Sequence, residues 1–303
     1  MRMVYGEVMP RLDQIQIRDP FVVVEQDTFY LFGSTDKDIW HSDGVGFDVY
    51  RAVGQFREFE GPFPAFRPPA GFWSKKNFWA PEVYAYSGAY FMFATFLPRK
   101  GRRGTAVLRS ESIMGPYHPH SDGPITPTDW ECLDGTLHID DGGNPWMVFC
   151  HEWTQVGDGQ ICAVRLTEDL SRAVGEPEVL FAASSAPWSV PLKGRAPGSY
   201  VTDGPYVVRH RSGKLLILWS SFGQGGDYCI GVASSSHGLD GPWTQSERPL
   251  FESDGGHGMV FATPDGDLHL AIHTPNKTPH ELPIFVPLNE TDEGLEAVGE
   301  IIC

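Results

Sequence analysis

The chain has 303 residues, an apolar fraction of 41% and a formal charge of −16. That apolar content supports a packed core and excludes a disordered chain, while the negative field disfavours nucleic acid and anionic membranes as partners. No stretch reaches the ~20 consecutive apolar residues that span a bilayer.

The first residues, MRMVYGEVMPRL, carry no apolar h-region of the kind that marks a signal peptide. The five cysteines, Cys132, Cys150, Cys162, Cys229 and Cys303, are odd in number and lack CxxC spacing. They read as reduced thiols, so a cytoplasmic location is expected.

After this start the chain repeats itself. Asp19 to Thr35, Ala80 to Phe96, Asp134 to Trp153, Asp203 to Ser221 and Gly256 to Thr274 share one pattern. Each has a short polar or Pro/Gly lead-in, a β-rich run, a turn, and a second β-rich run ending in small or polar residues. Ser87-Gly88, Asp141-Gly142, Ser212-Gly213 and Asp265-Gly266 supply turn chemistry, and Val, Phe, Tyr, Leu and Trp fill the flanking runs. A second repeat lies further along the unit. Ser110 to Tyr117 (SESIMGPY) resembles Ser234 to Trp243 (SSSHGLDGPW), with a variant in the third unit from Arg165.

An inner hairpin plus two outer strands makes a four-stranded blade, and the chain length accommodates five. The expected fold is therefore all-β: a single five-bladed β-propeller over residues 1–303, with four-stranded antiparallel blades around a central channel. Because strands alternate in direction, the starts of the innermost strands and the ends of the second strands converge on one mouth. Asp19, Asp134, Asp203 and His257 open inner strands there. Asp-Gly and Asp-Pro pairs usually mark turns. Three acids recurring at one phase of a radial repeat would instead repel one another and raise at least one pKa, an arrangement suited to glycoside hydrolysis.

Arg18-Asp19-Pro20-Phe21 opens the first unit, Trp79-Ala80-Pro81-Glu82 the second, Leu133-Asp134-Gly135 the third and Gly256-His257-Gly258 the fifth. In order and blade phase these motifs resemble glycoside hydrolase family 43. The resemblance covers nearly the whole chain. It implies inverting hydrolysis of arabinose-, xylose- or galactose-containing oligosaccharides, with an exo-acting α-L-arabinofuranosidase or β-xylosidase foremost. Asp19 is then the general base that activates water, and Asp134 the residue that raises and orients the general acid. No cofactor is implied for the chemistry, but family members often hold a structural ion, commonly calcium, near the position of His257.

The family's fourth blade opens with Glu-Gly-Pro, its Glu being the acid. Here the segment reads Thr202-Asp203-Gly204-Pro205, one methylene shorter, and about 1 Å of misplacement costs on the order of a hundredfold in rate. Two candidates follow: Asp203 itself, or Glu152 in His151-Glu152-Trp153, which reaches the same mouth with a full-length side chain. The balance tips to Glu152, since a Glu in that phase has little structural reason to be there. Trp79 and Trp153 are candidates for stacking on a sugar, or for plain core. Glu82 is a candidate for binding substrate hydroxyls, or for bracing Trp79. Arg18 calls for a structural partner away from Asp19, because strand neighbours point to opposite faces. The alternatives are a non-catalytic carbohydrate-binding propeller, which has no need of Asp19 and Asp134 in register, and a retaining glycosidase or phosphorylase on the same architecture.

Overall fold

The computed structural model describes residues 9–303, so most of the leading segment read for a signal peptide lies outside the described residues. Among the described residues twenty strands form five antiparallel four-stranded sheets, each built from consecutive strands. The first blade holds β1 (Arg18–Glu25), β2 (Thr28–Ser34), β3 (Phe47–Val53) and β4 (Glu60–Phe66). The second holds β5 (Ser74–Tyr86), β6 (Ala89–Pro98), β7 (Gly104–Ser110) and β8 (His118–Pro119). The third holds β9 (Cys132–Ile139), β10 (Pro145–His151), β11 (Gln160–Leu166) and β12 (Ala173–Ala182). The fourth holds β13 (Asp203–Arg209), β14 (Leu215–Phe222), β15 (Tyr228–Ser235) and β16 (Thr244–Gln245). The fifth holds β17 (Gly256–Ala262), β18 (Leu268–Thr274), β19 (Leu282–Glu290) and β20 (Leu295–Ala297).

The innermost strands β1, β5, β9, β13 and β17 each touch the next around a closed ring, with β1 meeting β17. This is the expected five-bladed propeller. Buried aromatics fill the seams between blades. Phe47 and Phe66 of the first blade meet Phe78 and Phe96 of the second at centroid distances of 5.9–6.2 Å, and each buried Phe contributes about 1.5–3 kcal/mol. The outer repeat also holds: the Tyr117 hydroxyl donates to Ile113 O at 2.9 Å and Trp243 Nε1 to Leu239 O at 3.2 Å. At the β5–β6 turn both Ser87 and Gly88 have positive φ, 47° and 82°, the backbone that a two-residue hairpin demands.

One structural detail places the site. Every inner strand has an equivalent register break, near its start in four blades and midway along the longer β5, and there one residue enters the left-handed region: Asp19 (φ 55°), Ala80 (45°), Asp134 (56°), Gly204 (49°) and His257 (50°). Such backbone costs about 1 kcal/mol or more for a residue with a Cβ and persists only where its surroundings hold it. The register corrects the expectation that Asp19, Asp134 and Asp203 share one phase. Gly204 occupies that phase in the fourth blade, and Asp203 is one residue ahead of it, opposite Ser220 as Arg18 is opposite Ser34.

Candidate active site

Each break pulls a backbone N–H out of its ladder, and a buried N–H needs a partner. In four blades the partner is a side chain at the end of the preceding blade's second strand. Ala80 N donates to Ser34 Oγ at 2.9 Å, Asp134 N to Thr95 Oγ1 at 2.9 Å and His257 N to Ser220 Oγ at 2.8 Å. Asp19 N donates to His273 Nδ1 at 3.2 Å and so closes the ring between the fifth and first blades. These anchors aim the side chains of Asp19, Asp134 and His257 at one another in the channel mouth.

His257 Nδ1 stands 3.1 Å from Asp19 Oδ1 and 3.7 Å from Asp134 Oδ2. Burial opposes the imidazolium, but the two carboxylates overcome it and raise the ring's pKa to about 10. His257 is therefore cationic at neutral pH. Asp19 is also buried, yet His257 and Arg18 hold its pKa far below the usual carboxylate range, and Ser34 Oγ donates to its Oδ2 at 2.6 Å. Asp19 is ionised throughout the useful pH range. His273 Nδ1 lies 3.6 Å from Asp19 Oδ1, but the contact is not an ion pair. That nitrogen accepts the Asp19 N–H, and burial and Arg18 keep the ring neutral.

Asp134 and Asp203 carry the opposite bias. Burial raises the Asp134 carboxyl, and its Oδ2 accepts the Gly204 N–H at 3.0 Å. Burial, with the charge of Asp134 behind it, pushes Asp203 up to about 7. The Tyr228 hydroxyl donates to Asp203 Oδ2 at 3.1 Å. The mouth thus joins a carboxylate that stays charged to a carboxyl that still holds its proton near neutrality, the pairing that acid–base hydrolysis requires.

A cavity of about 680 Å³ opens above the ring, and Asp19, Asp134, Asp203, Glu152, Trp79 and Trp153 all border it. Glu152 is committed to a partner: its Oε2 lies 2.5 Å from Arg103 Nη2 and also accepts from the Thr154 hydroxyl. Trp79 is 7% exposed. The Arg103 guanidinium covers its ring at 4.8 Å, and its Nε1 donates to Ile39 O at 2.8 Å. Trp153 opens the short helix α1 (Trp153–Val156), with the Arg195 guanidinium 5.7 Å from its ring. Glu82 does not border the cavity. It lies buried beneath the ring, accepting from the Tyr84 hydroxyl, which itself meets Thr136 Oγ1 at 2.7 Å, and burial raises its pKa to about 8. Arg18 has the separate partner expected of it, Glu281 Oε1 at 3.0 Å, and its Nε also comes within 3.5 Å of Asp19 Oδ1.

The calcium implied at His257 has no ready-made cluster of side-chain ligands around it among the described residues. Calcium takes six to eight oxygen ligands, and among the described residues no three His, Cys, Asp or Glu side chains gather as a metal site. The nitrogen of His257 that faces carboxylates is spent on ion pairs with them.

The sequence reading missed Arg103, Tyr228, and the pair Trp40 and Thr278. Trp40, 45% exposed, reaches across the cavity edge from the first blade, and its Nε1 donates to Thr278 Oγ1 of the fifth at 2.9 Å. None of the four sits in a repeated motif. Asp203's offset did have a signal: aligning Pro20, Pro81 and Pro205 puts Gly204, not Asp203, beside Asp19 and Ala80.

The model of the family described as "Glycosyl hydrolases family 43" matches residues 13–290. The chain belongs to that family. Among solved structures, an endo-arabinase from Bacteroides thetaiotaomicron VPI-5482 is 38% identical with a TM-score of 0.87, over 95% of this chain and 99% of that one. Among curated proteins, the extracellular exo-α-(1→5)-L-arabinofuranosidase ArbA of Cellvibrio japonicus is 24% identical over 228 residues, covering 69% of this chain and 60% of its own. An extracellular endo-α-(1→5)-L-arabinanase 1 of Bacillus subtilis is 20% identical over 156 residues, covering 46% of this chain and 45% of its own. The chain thus spans 60% and 45% of the length of these two curated relatives. No helix among the described residues is long and apolar enough to cross a membrane.

Proposed function

We propose that this family 43 chain is an inverting, exo-acting α-L-arabinofuranosidase that trims short α-1,5-linked arabino-oligosaccharides, with the single propeller as its catalytic unit. The observation that carries the reading is the opposed bias of Asp19 and Asp203 across one cavity. Asp19 takes a proton from water as the water oxygen bonds to the anomeric carbon. Asp203 gives its proton to the leaving-group oxygen as the glycosidic bond breaks, and the sugar leaves with inverted configuration. Asp134 keeps Asp203 protonated through its charge and steadies the strand that bears it. Asp203 takes the acid's role ahead of Glu152 because Glu152 is held by Arg103. The choice of arabinose follows the printed names of the similar proteins.

Exo-action is supported by the Trp40–Thr278 bridge, which closes the cavity between the first and fifth blades. Endo-action is the second reading, favoured by the name of the 38% identical structure. One assay separates them. Para-nitrophenyl α-L-arabinofuranoside, β-D-xyloside and β-D-galactoside are compared with linear arabinan, and the first-formed anomer is read by proton NMR. Free arabinose of inverted configuration supports the proposal. A ladder of oligomers shows endo-action, retained configuration refutes the mechanism, and silence on every substrate refutes the assignment.

The proposal extends to a cytoplasmic location. Cys132, Cys150, Cys162 and Cys229 are buried and unpaired, which suits a reducing compartment, although the curated relatives are named extracellular. Immunodetection in cell and medium fractions decides this point.

A further inference from the structure

The second strands of the five blades reach the mouth on equivalent residues. Ser34 stands opposite Arg18, Thr95 opposite Trp79, Cys150 opposite Leu133, Ser220 opposite Asp203 and His273 opposite Gly256. Four of these side chains accept the kinked N–H of the next blade. Cys150 is the exception. It is fully buried, and a thiol is a weak acceptor. The N–H it would serve, that of Gly204, goes instead to Asp134 Oδ2 at 3.0 Å.

The swap matters because Gly204 follows Asp203 directly. Gly204 packs directly on His257, with no room for a side chain: a Cβ there would lie 2.6 Å from the His257 ring. The amide, the His257 ring and the Asp134 carboxylate therefore form one interlocked unit at the base of the strand that bears Asp203.

We propose that Cys150 is a positioning residue: by presenting a thiol where the other blades present a hydroxyl or imidazole acceptor, it leaves the Gly204 amide to Asp134 and ties that carboxylate to the strand of the general acid. This rests on the roles given above to Asp134 and Asp203. The bond favours the ionised form of Asp134, whose charge in turn keeps Asp203 protonated. The other charged or titratable groups facing this pair are Asp19, His257, Arg18, Arg103, Glu152 and Tyr228.

The test compares Cys150→Ser with Cys150→Ala. Serine restores the acceptor found in the first and fourth blades, whereas alanine removes the thiol without adding one. With serine, the Gly204 amide proton resonance moves upfield as the amide leaves the carboxylate. The bell-shaped pH profile of kcat/KM then narrows by roughly half a unit on its acid limb, since Asp134 gains its proton more readily. The kcat on unactivated arabino-oligosaccharide falls about tenfold as the acid's strand loosens. With alanine, the amide resonance and both limbs keep their places. Equal behaviour of the two variants overturns the proposal, because only packing would then be at stake, and an amide shift without narrowing overturns the positioning role. Wild-type protein inactive on every arabinoside is a separate failure, of the functional reading, and the amide comparison still judges the hydrogen-bond exchange.

Discussion

Replacing Asp203 by Asn removes the proposed proton donor while keeping its shape. In the wild type the Asp203 carboxyl is raised to about 7 by burial and the charge of Asp134, so kcat/KM is expected to fall above about pH 7 as that proton is lost. Asp19 is held ionised by His257 and Arg18, and puts no limb near neutrality. A positioned general acid contributes roughly 10²–10⁴-fold, or about 3–5 kcal/mol of barrier, and the benefit is concentrated on leaving groups that cannot depart as anions. Asp203→Asn should therefore lose about that factor on arabinotriose and far less on the para-nitrophenyl arabinofuranoside, whose profile should also lose its alkaline limb. Glu152→Gln is the control. It weakens a 2.5 Å ion pair with Arg103 and should cost about 1–3 kcal/mol of stability while keeping the alkaline limb, moved slightly downward because the Glu152 charge helps raise Asp203. The reasoning is refuted if Asp203→Asn cleaves arabinotriose at the wild-type rate, or if Glu152→Gln is the variant whose limb vanishes.

Tyr228→Phe removes a hydrogen bond donated to Asp203 Oδ2 at 3.1 Å. That bond favours the ionised carboxylate, so its loss should move the alkaline limb upward, and a downward shift in the pH profile would contradict the geometry. Ser34→Ala leaves the Ala80 N–H and Asp19 Oδ2 without their shared hydroxyl. At about 1–3 kcal/mol for an unsatisfied buried group, calorimetry should show a Tm lower by a few degrees, with kcat reduced through a looser Asp19. Treatment with EDTA should leave Tm and activity where they were, because His257 Nδ1 already pairs with the two carboxylates nearest it, Asp19 and Asp134. A fall reversed by added calcium would show a cation at the site.

The repeat of β-rich pairs separated by turns was sufficient to predict five blades, because strand alternation and turn chemistry are local properties that any one blade displays. The same locality made Asp19 and Asp134 legible, since each sits beside its own motif at the start of an inner strand. The depth of Glu82 beneath the ring was not legible, because it depends on how five strands close around one axis. The phase of Asp203 was half-legible. The prolines at positions 20, 81 and 205 mark it, but its meaning appears only in the register, where Gly204 takes the left-handed position and Asp203 turns toward Tyr228. Arg103, held between Glu152 and Trp79, comes from a different blade than Glu152, and no periodicity in one dimension encodes such a meeting. Sequence alone thus determined the blades and two of the carboxylates. The tertiary structure decided which carboxyl holds a proton, because pKa values follow from charges and burial contributed by all five blades at once.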